Sequence, residues 1–186
     1  PPRSTLFPYT TLFRSSQIDT GGITGEVTGY AIANQSSVRS YLEPLRTAYG
    51  FDLVERGGKL YFIDKRGDFA LTIPYEDLIR DGGAEPITIT RAEERNMPQK
   101  VVTIYPDQDT RYQQASQQAQ RFTVASRQVM SLAMPIVMTA DKARQIAETV
   151  MYEQWMGRTS LEFATSYAYE KLEPGDLVYV QSRERT

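Results

Sequence analysis

The sequence contains neither cysteine nor histidine among its 186 residues. Without cysteine there is no disulfide framework and no thiolate chemistry. Without histidine there is no imidazole base, and the usual zinc sites cannot be assembled. Tryptophan occurs once, at Trp155. No apolar run approaches the ~20 residues that a membrane-spanning helix requires. Acidic groups number 23 against 21 basic ones, for a net charge of −2. The cations are scattered, which makes the chain a poor candidate for nucleic-acid binding. These absences exclude most enzyme classes. No catalytic residue, cofactor or metal is expected.

The first fifteen residues, PPRSTLFPYTTLFRS, look like the in-frame translation of a common short-read sequencing adaptor. The near-repeat of Thr5-Leu6-Phe7 and Thr11-Leu12-Phe13 then reflects repeated codons, and residues 1–15 are expected to form no part of the fold. The remainder suits one medium domain or two small ones. The loop Asp81-Gly82-Gly83 is the expected boundary between sub-domains 16–83 and 84–186.

Apolar residues Ala143, Ile146, Ala147, Val150, Met151 and Trp155 recur at spacings of three and four, which predicts a helix over 140–157. Thr139 is its expected N-cap, Asp141 sits in the positive first turn, and Gly157 stops it. Trp155 falls on the apolar side and is expected in the core. Leu161 and Phe163 start an extended run. Glu173-Pro174-Gly175-Asp176 fits a type II turn, with proline pre-setting φ at the second position and glycine accepting positive φ at the third. Leu177 to Val180 then leaves as a strand, so the chain is expected to end in a hairpin.

The first half reads as strand, helix and hairpin. Glu26 to Ala33 predicts a strand. Ser36 is the expected cap of a helix carrying Val38, Tyr41, Leu42, Leu45, Ala48 and Tyr49, with Gly50 as its stop. Pro44 conflicts with that helix, since proline costs about 3 kcal/mol in a regular interior. A kink, or a start near Ser40, is expected. Gly57-Gly58 supply both positive φ values of a type I′ hairpin between Phe51 and Ile63. Phe69 to Ile73 predicts a strand, and Pro74 to Ile79 a short helical turn. Further on, Ile87 to Thr90 and Lys100 to Tyr105 read as strands. Val129 to Met138 reads as an edge or bulged strand because of Pro135.

Between Asp107 and Arg121 the chain turns glutamine-rich, which fits a solvated loop, a lightly buried strand or a low-complexity segment. Asp107-x-Asp109 begins like a calcium loop, but Tyr112 and Gln118 stand where Gly and Glu are required. The pairs Glu76/Asp77 and Glu93/Glu94 are adjacent in sequence and so point to opposite faces of a strand, which is no geometry for an acid–base couple. Tyr167 and Tyr179 are expected on strands, as packing residues or interface anchors.

Several blocks carry a family resemblance. Val27-x-Gly29-Tyr30-x-Ile32 is followed by Ser36-x-x-Arg39-x-x-Leu42-Glu43-Pro44-Leu45, by Ala48-Tyr49-Gly50-Phe51-Asp52 and by Gly58-x-Leu60-x-Phe62. Then come Tyr105-x-Asp107, Tyr112-Gln113 and the terminal LEPGDLVYV. Their order and spacing resemble the tail-tip, or host-specificity, proteins of gene transfer agents and related phages. The resemblance implies an α+β, mostly β fold with two small barrel-like or sheet sub-domains, one helix in each. It also implies a non-enzymatic baseplate-hub protein of the virion, homotrimeric beneath the tail tube. Such a protein would contact distal-tail and tail-tube proteins, contribute to host attachment and let DNA pass without sequence-specific binding. Tyr112, Gln113, Gln114, Gln117 and Gln118 are the candidate interface or lumen residues. Pro174, Gly175 and Asp176, with Gly57 and Gly58, are the candidate structural turns. A hub or spike of a contractile secretion machine is the alternative. Another is a piece of a larger chain that carries a cell-wall glycoside hydrolase domain.

Overall fold

The structure is a computed structural model and describes residues 15–33, 35–65, 67, 69–80 and 85–182. The adaptor-like segment, apart from Ser15, and the Asp81–Gly83 boundary lie outside the described residues. Among the described residues, ten strands and two α-helices follow one another in the order β1 (Ile18–Asp19), α1 (Val38–Tyr49), β2 (Phe51–Arg56), β3 (Lys59–Asp64), β4 (Phe69–Ile73), β5 (Ile87–Arg91), β6 (Pro98–Pro106), β7 (Gln114–Gln120), β8 (Gln128–Ala133), α2 (Ala140–Met156), β9 (Thr159–Phe163) and β10 (Leu177–Val180). The mostly β, α+β class is therefore the observed one. The strands form four small sheets, ordered β1-β3-β2, β10-β4, β5-β9 and β7-β6-β8, and none of them closes into a barrel.

A buried apolar cluster lies between α2 and the β7-β6-β8 sheet. Ala143, Ile146, Ala147, Val150 and Met151 of α2 are each at most 5% exposed and pack with Val101, Tyr105, Ala119, Met134, Ile136 and Met138. Two alanines at the centre of the stripe let the helix lie close to the sheet. Thr139 caps this helix, its hydroxyl accepting from the Lys142 N–H at 3.5 Å. The sheet joins β6 to β7 antiparallel and to β8 parallel. β8 sits at an edge and stops at Ala133, ahead of Pro135, whose carbonyl accepts instead from the Ala31 N–H.

Thr103 lies in the centre of β6 with its side chain fully buried and its hydroxyl without a hydrogen-bond partner among the described residues. A buried hydroxyl left unpaired costs about 1–3 kcal/mol. Thr103→Val, which keeps shape and β-propensity, is expected to raise stability by about 1 kcal/mol. Urea unfolding checks it, and a lower midpoint in the variant would show that the hydroxyl has an unseen partner.

Four expectations need correction. Glu26 to Ala33 forms no strand. Only an isolated antiparallel bridge, Tyr30 to Ile136, ties it to the sheet, because Gly29 and Tyr30 meet a neighbouring chain that Pro135 interrupts. Helix α1 begins at Val38, capped by Ser37 and not by Ser36, and continues through Pro44. The Ser36 hydroxyl instead lies 2.6 Å from that of Ser40. Trp155 is half-buried at the rim of the core, its indole N–H donating to the Pro98 carbonyl at 2.9 Å.

The fourth correction concerns the end of the chain, which does not fold back on itself as a hairpin. β9 pairs antiparallel with β5, and β10 pairs parallel with β4. Segments on either side of position 83 are thus hydrogen-bonded together. The Ile79 N–H donates to Ala164 and that of Gln181 to Ile73, while the Tyr169 hydroxyl donates to the Asp77 carboxylate.

Candidate assembly surface and the terminal turn

The alternation of β7 sorts the candidate glutamines between two faces. Gln114, Ser116, Gln118 and Gln120 are exposed on the outer face, whereas Ala115, Gln117 and Ala119 turn toward α2. Gln117 therefore does not share a surface with Gln114 and Gln118. On the outer face Gln118 stands opposite Val102, and Ser116 opposite Ile104. β8 contributes Ser131 and Ala133 in the same rows. The result is a half-buried apolar row, Val102 and Ile104, that ends at Lys100 and is flanked mainly by glutamine, serine and small side chains.

One end of that face opens into a cleft of about 610 Å³ whose lining includes Tyr30, Tyr41, Pro44, Ile104, Tyr112 and Gln114. Tyr112 reaches it from the β6–β7 loop, where Arg111 and Tyr112 both hold positive φ, 55° and 61°. Consecutive left-handed residues other than glycine are unusual and strained. The loop holds them in place by hydrogen bonding. The Tyr112 N–H donates to the Asp107 carbonyl (2.9 Å) and the Asp107 N–H to the Gln113 carbonyl (2.9 Å). The Asp107 carboxylate accepts from the Asp109 N–H and the Thr110 hydroxyl, both at 3.2 Å. Those contacts account for Asp107 as a loop-closing residue. Among the described residues, no group of three or more acidic, Cys or His side chains is placed to hold a metal. Tyr112 ends 65% exposed. Burial, with a smaller contribution from Tyr41, pushes the Tyr30 hydroxyl above the usual tyrosine range, so it stays a neutral donor, here to the Tyr41 carbonyl.

The terminal turn is built into the β2–β3 hairpin. Gly57 and Gly58 close that hairpin at φ 55° and 73°, with Val54 opposite Tyr61 and Leu53 opposite Phe62. At the other turn the Asp176 N–H donates to the Glu173 carbonyl at 3.1 Å, and Gly175 has φ 94°. Arg56, at the end of β2, clamps the two together. Its Nη2 reaches the Asp176 carboxylate at 2.8 Å and the Pro174 carbonyl at 3.2 Å. Its Nε forms a close ion pair with Glu173 at 2.7 Å, out of line with the N–H bond. No local signal points to this clamp, because its partners lie 118 and 120 residues away. Tyr167 and Tyr179, by contrast, are 92% and 58% exposed, and Tyr167 belongs to a 3₁₀ turn, not to a strand.

The Asp176 carboxyl is held below the ordinary aspartate range, first by the Glu173 N–H and then, against some desolvation, by Arg56. A carboxylate with a lowered folded pKa contributes stability above its unfolded pKa, and that stability is lost as pH falls through the folded value. The wild-type chain is therefore expected to lose melting temperature below the usual aspartate range, with Asp176→Asn showing a flatter profile there. Thermal melts at a series of pH values check this, and parallel profiles would contradict it.

The fold has solved counterparts. A chain from the virion of a native gene transfer agent particle superposes with TM-score 0.84 at 25% identity, over 92% of this chain and 39% of that one. A tail protein from Neisseria meningitidis MC58 superposes with TM-score 0.59 at 11% identity, and a 43 kDa tail protein of prophage MuSo2 from Shewanella oneidensis with 0.60 at 13%. Each of those two matches covers 89% of this chain and 52% of the other, and shows the shared fold. This chain thus spans from 39% to 52% of the length of these structures. No curated protein matches it in sequence. Residues 37–186 match the family model described as "Putative phage tail protein", and the chain belongs to that family.

Proposed function

We propose that this chain is a rigid building block of a phage or gene-transfer-agent tail tip or baseplate hub, acting by assembly and without catalysis. The observation that carries the reading is the likeness to a virion chain across 92% of the sequence. It is supported by the mutual bracing of the small sheets through β4–β10 and the Arg56 clamp, which suits a load-bearing part. In this reading three copies stand beneath the tail tube, in contact with distal-tail and tail-tube proteins, and contribute to host attachment. The outer face of β7-β6-β8, with Gln113, Gln114, Gln118 and Tyr112, is the contact or lumen surface. Apart from Lys100, at the end of β6 away from the cleft, this face is uncharged, so a phosphate backbone sliding past finds few cations to exchange for counterions.

The test is the double variant Gln114→Lys with Gln118→Lys, introduced into the natural gene. Particle assembly or DNA delivery is expected to fall severalfold while the purified chain melts normally. Unchanged assembly together with unchanged delivery would remove this face from the proposal. Gln117→Lys serves as the contrast, since it puts a charge against α2 and is expected to reduce stability itself.

A further inference from the structure

Two arginines stand over the single tryptophan, and a third from another segment lines the same cleft. Arg91 ends β5, Arg121 follows β7, and Arg158 lies between α2 and β9. With Tyr152, Trp155 and Met156 they line a cleft of about 480 Å³. The Arg121 guanidinium carbon stands 4.4 Å from the indole centroid and that of Arg158 5.6 Å. The indole is itself pinned by its hydrogen bond to Pro98, and Arg91 Nε donates to the Thr159 hydroxyl at 3.3 Å. Other arginines of this acidic chain, Arg39, Arg46, Arg56 and Arg144, stand beside carboxylates. Among the described residues none of the cleft's three does. Like charges gathered without a counter-charge repel one another, and stacking on one ring orders the side chains in advance. Such an arrangement, ordered in advance and without a counter-charge, suits an anion.

We propose that Arg91, Arg121 and Arg158 form a binding site for a phosphate group, held beside Trp155. Guanidinium forks match oxyanions in pairs of parallel hydrogen bonds. A carboxylate brings one negative charge to three cations, whereas a phosphate monoester brings about 1.5–2. Two guanidinium groups already lie over the indole, so the site reads charge and is not a stacking platform for a base. The site does not depend on where the chain stands in a particle. The phosphate can come from a small phosphorylated molecule, or from a phosphodiester backbone that lays more than one of its singly charged phosphates against the three arginines.

The single tryptophan makes the test local. The full chain is titrated with pyrophosphate and with a short single-stranded oligonucleotide, following Trp155 emission, with polyglutamate as the carboxylate control. A saturable change is expected, weakening with salt. Arg121→Gln and Arg158→Gln should each weaken binding about tenfold, and each arginine lost should reduce the log–log salt slope by about one. Arg91→Gln leaves both indole contacts in place and keeps the test readable if the other variants melt early. Binding of pyrophosphate supports a site for a free phosphate group, and binding of the oligonucleotide alone supports a backbone phosphate. The proposal is overturned if neither gives a saturable response or polyglutamate binds as tightly. Unchanged affinity in the triple Gln variant would also overturn it.

Discussion

Gly175→Val is expected to be the most damaging single change in the terminal turn, costing about 2–5 kcal/mol. Two effects combine. The residue holds φ 94°, where a branched side chain is strained by about 1–3 kcal/mol. A β-carbon there would also stand 2.4 Å from Ile63 Cδ1 and 3.3 Å from Val54 Cγ2, so either the Ile63 side chain repacks or the turn lifts from the hairpin. Gly57 separates the two contributions, since it has φ 55° but nothing within 4 Å of an added β-carbon. Gly57→Val should therefore show the backbone cost alone. At roughly 2–4 °C per kcal/mol for a chain of this size, the two variants differ measurably in a thermal melt. Equal losses would show that the packing against Ile63 is unimportant, and unchanged melting of Gly175→Val would refute the turn.

The second large effect is Ile146→Ala. Ile146 is 3% exposed in the α2 stripe, packed in the cluster that holds Val101, Tyr105 and Ile136. Truncation leaves a cavity that neighbours fixed on a sheet fill poorly, and a loss of about 2–5 kcal/mol is expected. The exposed neighbour Gln145, changed to alanine, should lose less than about 0.5 kcal/mol. Urea midpoints with unchanged slope measure both. A loss at Ile146 no larger than at Gln145 would mean that α2 is not anchored on β6 and β7.

Much of this architecture was legible because its signals are local. The spacing of Ala143 to Met151 gave α2, and Gly57-Gly58 gave the β2–β3 hairpin. Turn chemistry gave a bend at Pro174-Gly175. What escaped was pairing between distant segments. Leu177 to Val180 has the composition of any strand, and nothing in it tells β4 from β9 as its partner. Arg56 carries no mark of Glu173 or Asp176, and the helical stripe that contains Trp155 carries no mark of the arginines around it. Glu26 to Ala33 misled in the other direction. Val27, Tyr30 and Ile32 suit a strand, but Pro135 interrupts the edge this segment meets, and among the described residues one bridge forms. Gln117 neighbours Gln114 and Gln118 in sequence, but the two-residue period of β7 turns it to the opposite face.

Membership of a phage tail family leaves position within the tail as the central claim. Gold labelling of a tag inserted between Gly57 and Gly58, where an added β-carbon meets nothing within 4 Å, reads that position directly in assembled particles. Label clustered at the tip, below the end of the tube, is the predicted result. Label distributed along the tube, or found only at the head, would contradict it.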